Sequence, residues 1–222
     1  MITFTVKVRP PSLICVGWSH PSAIGYDVPF AKKAVLEGGK HSFRIFIPGS
    51  SFKGSLRSAS SRVARSYGFK SCGEVNPERI ERAHSLGGVC DICELFGYPK
   101  NNVPSEIRIS DLEPVGHPRT MGLTRLRIDD SSLKAAEEAL FTSECVLPKT
   151  IFKGSISLGK VETRLIGLLL LGLAEVRMER FGRGSAIDLM LENTTLLEER
   201  LNGTEWFTLL MDLKEWLWNE VL

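Results

Sequence analysis

The chain has 222 residues, of which 43% are hydrophobic and 24% charged, with a formal net charge of +2. That is enough apolar material for one sizeable core, and it excludes a disordered chain or one basic throughout. The longest apolar run, residues 165–174, falls well short of the roughly 20 residues a membrane span needs, so no membrane association is expected.

Charge is unevenly placed. Lys32, Lys33, Lys40, Arg44, Lys53, Arg57, Arg62, Arg65 and Lys70 face only Glu37 across residues 31–70. Residues 193–222 carry Glu198, Glu199, Glu205, Asp212, Glu215 and Glu220 against Arg200 and Lys214. A local basic patch suits a nucleic-acid backbone; internal charge balance is the other reading.

Residues 1–8 alternate like a strand rather than a secretory leader, and the expected location is cytoplasmic. The five cysteines are then expected to stay reduced or bind metal. Pro10-Pro11 ends the strand, which resumes over 13–17, and 18–28 reads as a loop. A β-rich run over 43–47 stops at Pro48-Gly49. Ser50 or Ser51 can cap the next helix, expected over about 52–67, with Phe52, Leu56, Ala59 and Val63 facing a core. Lys53 and Arg57 are four apart and share a face. Free N–H groups at a helix start beside two cations form a phosphate-binding arrangement; an ordinary capped turn with solvated cations is the alternative.

Residues 70–97 hold Cys72, His84 and the pair Cys90-Asp91-Ile92-Cys93. Three thiols and an imidazole suit tetrahedral zinc, against four residues with no metal. Cys15 and Cys145 lie in apolar contexts and read as core. Residues 106–111 read as a short strand, 124–129 as one arm of a hairpin, and 129–140 as a crossover or short helix. A strand is expected over 151–158 and a buried helix over 161–178. In Phe181-Gly182-Arg183-Gly184-Ser185, two glycines around an arginine allow close approach to a phosphate or, alternatively, a helix cap and turn. A strand over 186–191 and a helix over 205–222, with Trp206, Leu209, Leu210, Leu213 and Leu217 on one stripe, close the chain.

Ile47-Pro48-Gly49-Ser50-Ser51-Phe52-Lys53-Gly54-Ser55-Leu56-Arg57 resembles the signature of the RAMP superfamily of CRISPR-associated proteins. Within it, the chain looks most like the backbone subunit of type III effector complexes. Cys90-Asp91-Ile92-Cys93-Glu94-Leu95-Phe96-Gly97 is similar to that subunit's C-x-x-C-x-L-F-G segment. Arg125-Leu126-Arg127-Ile128-Asp129 resembles its thumb entry, and Phe181-Gly182-Arg183-Gly184-Ser185 its glycine-rich loop.

The resemblance implies an α+β, modified ferredoxin-like (RRM-like) fold with a thumb-like hairpin and a zinc-binding insertion. It reads as a single domain over 1–222, with the candidate zinc insertion at 70–97 and the thumb at 116–150. It implies subunits stacked along a guide RNA (crRNA) gripped at Ser50, Ser51, Lys53, Arg57, Arg125, Arg127 and Arg183. Partners would be further copies of the chain, other CRISPR effector subunits and target RNA. Asp27 matches the loop aspartate that cleaves target RNA with a divalent metal, Mg or Mn; Cys72, His84, Cys90 and Cys93 would hold structural zinc. Two other activities stay open. One is a stand-alone RAMP endoribonuclease processing precursor guide RNA, with His20 as the nearest general base. The other is a non-catalytic structural subunit.

Overall fold

The computed structural model describes residues 1–17, 25–99, 104–128 and 135–218. In chain order the elements are β1 (Ile2–Arg9), β2 (Lys32–Glu37), β3 (Lys40–Ile45), α1 (Gly49–Val63), a 3-10 turn (Ala64–Tyr67), α2 (Pro77–Gly87) and α3 (Asp91–Phe96). There follow β4 (Ile107–Ile109), β5 (Glu113–Pro114), β6 (Thr120–Ile128), β7 (Ala135–Val146), β8 (Phe152–Leu158) and α4 (Thr163–Met178). Last come β9 (Arg180–Phe181), β10 (Ser185–Ala186), β11 (Asp188–Glu192), α5 (Thr195–Leu201) and α6 (Trp206–Asp212).

The main sheet runs β11-β1-β8-β4, every neighbour antiparallel, with β5 also on β8. Helix α1 lies between β1 and β4 in the chain, and α4 between β8 and β11. That is the β-α-β-β-α-β order of a ferredoxin-like sandwich, as expected. Alternation in β1 sends Phe4, Val6 and Val8 inward. α1 contributes Phe52, Leu56 and Ala59 to the same core, and α4 is buried nearly all round from Leu165 to Leu173. Asp188, fully buried at the start of β11, lies 3.3 Å from Arg9 and 3.5 Å from Arg177. It also accepts the N–H groups of Leu217 and Trp218, which fastens the acidic C-terminal segment to the sheet.

Three insertions decorate this frame. β2 and β3 form a hairpin ahead of α1, turned by Gly38-Gly39 at φ 55° and 79°, the two left-handed positions of a tight hairpin turn. The segment with α2 and α3 follows α1, and the long β6–β7 hairpin joins β5 to β8.

The differences from the sequence reading have local causes. Residues 135–140, expected as crossover or helix, belong to β7; cross-strand pairing with β6 overrides their alanine and glutamate content. The helix expected over 205–222 is α6 alone. Leu210 and Leu213 are buried, Leu217 is exposed, and α5 forms a separate helix before it. α1 starts at Gly49, with Pro48 as its N-cap and no serine side chain capping it.

Cys15 and Cys145 are buried, as expected, but they are joined by a disulfide, which corrects the expectation that all five cysteines are reduced or metal-bound. Ile14 and Val146 exchange both backbone bonds, at 3.1 and 2.8 Å. The next pair, Cys15 and Cys145, therefore falls at the close, non-hydrogen-bonded position of an antiparallel ladder, with Cα atoms 4.4 Å apart.

Candidate functional site

Three expected site residues are tied to the β6–β7 hairpin: Asp27 through Thr142, Arg125 as part of β6, and Arg183 through Arg125. Asp27 is exposed, and its backbone N–H donates to Thr142 O at 3.0 Å. One carboxylate oxygen, Oδ2, accepts the Thr142 N–H at 2.7 Å. Thr142 thus clamps Asp27 to β7 and fixes the direction of its other oxygen, Oδ1, which has no hydrogen-bond partner among the described residues. Tyr26 lies over Gly122 of β6, where any Cβ would come within 2.9 Å of the ring. Glu144, buried two residues beyond Thr142, accepts the Phe30 N–H at 3.1 Å and pairs with Lys32 at 2.7 Å. It holds the far end of the Asp27 segment, a role sequence reading missed; a charged residue amid the apolar end of β7 was the available signal.

Arg125, on β6, donates from Nη2 to Arg183 O at 3.0 Å. The Arg183 N–H donates to Cys15 O at 2.9 Å, and the Arg183 guanidinium passes over Gly17. Gly182 and Gly184 take φ of 61° and 95°, the left-handed angles expected around the arginine. The glycine loop is therefore tied to the thumb by Arg125 and to the segment after β1 by Cys15. Each guanidinium has five N–H donors, and of these two bonds only the one from Arg125 uses a guanidinium donor, so the cluster retains capacity for phosphate oxygens. Arg127 belongs to β6; the description of its side chain, like all of His20, lies outside the described residues.

The start of α1 is organised differently. The Gly49 N–H donates to Asp111 Oδ1 at 2.9 Å, so an internal carboxylate occupies the position expected for a phosphate. A Cβ at residue 49 would fall 2.5 Å from Ile109 O and 2.7 Å from Ser110 O, so only glycine permits this approach of helix to β4. Ser50 and Ser51 are exposed on the first turn. Lys53 donates to Ser105 Oγ at 2.8 Å and Ile107 O at 3.1 Å. Burial, and then the charge of Arg57, push its pKa down. Arg57 donates to Gly97 O and, at 3.1 Å, to Cys93 Sγ. Lys53 and Arg57 thus turn toward β4 and α3, while the exposed face of α1 presents Ser51, Gly54, Ser55 and Ser58. With Arg62, Arg180 and Phe181, these line a cavity of about 410 Å³.

Arg57 leads to the candidate metal centre. One ligand atom from each of Cys72, His84, Cys90 and Cys93 lies within 4.8 Å of the others. Cys72 and Cys93 sulfurs are 3.9 Å apart, close to the ~3.8 Å that tetrahedral Zn–S bonds of about 2.3 Å require. Among the described residues, both His84 ring nitrogens are buried with no hydrogen-bond partner, which suits a metal ligand. A hydrogen bond with Cys93 holds the Cys90 thiol below the ordinary thiol range; the same bond, with burial, pushes Cys93 up. Three thiolates and a neutral imidazole around Zn²⁺ leave one net negative charge, and the Arg57 guanidinium sits on it. The residues fit zinc.

Among the described residues, no helix is long and apolar enough to cross a membrane. The sequence was also compared with known proteins. The model of the RAMP superfamily matches residues 21–186, which spans the Asp27 segment, α1, the Cys/His cluster, the thumb and the glycine loop. No curated protein matches the chain.

Proposed function

Because this chain belongs to the RAMP superfamily of CRISPR-associated, RNA-binding proteins, we propose that it is a backbone subunit of a type III CRISPR ribonucleoprotein. In this reading it binds guide RNA, stacks with further copies and other effector subunits, and cleaves complementary target RNA at Asp27. The observation that carries the reading is the juxtaposition at the thumb base. There Thr142 of β7 clamps an exposed carboxylate, and Arg125 of β6 bonds the backbone carbonyl of Arg183.

The division of labour follows from the side chains. Arg125 and Arg183 hold phosphate by charge and planar hydrogen bonding, without reading sequence. Asp27, with Oδ2 held by Thr142, offers Oδ1 as a hard oxygen ligand for Mg²⁺ or Mn²⁺, which suits a cation that binds through one carboxylate plus substrate phosphate. Such an ion, when bound, neutralises charge on the scissile phosphate and lowers the pKa of an attacking hydroxyl. The residues around Asp27 keep its carboxylate fixed and reachable from the arginines.

The binding half is tested with purified protein and guide-length RNA. Arg125→Ala with Arg183→Ala should weaken binding about tenfold or more for any sequence and flatten the salt dependence. Unchanged affinity with an unchanged salt slope would reject the thumb-base assignment.

A further inference from the structure

We propose a second RNA contact, a base-stacking subsite in the groove between the β2–β3 hairpin and the loop that leads into β6. It rests on the RNA-binding reading above and extends it to residues outside the thumb base.

The pairing of β2 with β3 places Ala34 opposite Phe43 and Leu36 opposite His41, so these four side chains share one face. That face packs on nothing among the described residues: Phe43 is 73% exposed and Leu36 67%. Phe43 and Leu36 together make an exposed apolar patch among polar residues, the kind of surface that marks an interaction site. Beside it lies an open cavity of about 460 Å³ whose lining includes Phe43, Arg44, Ile45, Pro114, His117 and Pro118. The lining thus offers an aromatic ring from the hairpin and an imidazole from the facing loop, two surfaces on which a flat π-system can stack, with the Glu113 carboxylate between strand and loop.

Charge selects the occupant. Arg44 lines the groove, Lys32 and Lys33 lie across the hairpin from its lining residues Ile45 and Arg44, and Arg119 follows Pro118 in the chain. The acids among its described neighbours are already paired, Glu113 with Lys33 at 2.5 Å and Glu144 with Lys32 at 2.7 Å. An exposed aromatic within a net positive rim suits single-stranded nucleic acid, whose bases stack while its phosphates meet the cations. Position agrees. Lys32 opens β2 and is bonded to Glu144, two residues from the Thr142 that clamps Asp27, while Pro118 leads directly into β6. A strand held at Asp27 and Arg125 therefore continues into this groove.

The test uses the full chain with a fluorescent single-stranded RNA carrying 2-aminopurine, and a duplex of the same length. Phe43→Ala should weaken single-strand binding about tenfold and remove the 2-aminopurine quenching, while the salt slope and duplex binding stay as in wild type. Phe43→Trp should restore both signals, and His117→Ala, which alters the facing loop, should weaken binding in the same sense. Circular dichroism checks that each variant folds; should Phe43→Ala fail, the Trp and His117 variants still decide. If wild type binds RNA and neither Phe43→Ala nor His117→Ala changes affinity or quenching, the subsite is wrong and the RNA-binding reading stands. If wild type binds no RNA, both fall. If Phe43→Ala abolishes self-association on a sizing column and leaves RNA affinity intact, the face is a protein interface and the subsite is overturned.

Discussion

Arg57 shows how sequence pattern and geometry can point one residue to different partners. Its spacing from Lys53 makes both look like phosphate ligands. In the fold, Lys53 bonds Ser105 and Ile107, and Arg57 bonds Gly97 and a cluster sulfur. A guanidinium 3.1 Å from Cys93 Sγ would balance the charge of a zinc–thiolate centre there and steady the ligand. Purified protein is expected to carry about one zinc per chain. Arg57→Ala should then weaken zinc retention about 10- to 100-fold in a competition with a chromogenic chelator, with Arg57→Lys intermediate. A Cys90→Ser/Cys93→Ser variant that keeps full zinc and stability would remove the centre from the account. The ligand set was legible because Cys and His are few and their spacing is informative. Asp111 was not, because a carboxylate that serves a distant backbone N–H leaves no local mark in the sequence, and the one mark of Glu144 is its charge amid the apolar end of β7.

Among the elements, α1 carries the clearest mechanical constraint. It enters the fold through the narrow gap beside β4, and Gly49 is what lets it pass. Gly49→Ala should cost about 1–3 kcal/mol, seen as a lower denaturant midpoint with an unchanged slope. A midpoint equal to wild type would mean that helix and strand can separate without cost. Elements with strong periodicity, β1, α1, β8 and α4, could be read from sequence because their buried faces repeat at 2.0 or 3.6 residues. β2 escaped notice although Gly38-Gly39 is a hairpin signal in its own right. The second arm of the thumb was hidden by alanine and glutamate, whose local preference for helix yields to pairing with β6. The Cys15–Cys145 bond, spanning 130 positions, follows from a strand register that no local pattern encodes.

At the scale of the whole molecule, two of the three insertions converge. The thumb, the glycine loop, the hairpin and the Asp27 segment all leave the sandwich near one edge, tied together by Thr142, Glu144, Cys15 and Arg183. The Cys/His cluster lies on another side of α1, against α3. The basic stretch seen in sequence thereby divides in two. Some of its cations are structural, and others rim the proposed path of the RNA. The central claim is that Asp27 is the residue that cuts target RNA. It is tested by assembling the ribonucleoprotein with wild-type or Asp27→Ala subunits, adding RNA complementary to the guide, and supplying Mg²⁺, Mn²⁺ or chelator. The account predicts metal-dependent cleavage by wild type and none by Asp27→Ala, with assembly and target binding equal in both. Equal cleavage by the two complexes, or wild-type cleavage that persists in chelator, would contradict it.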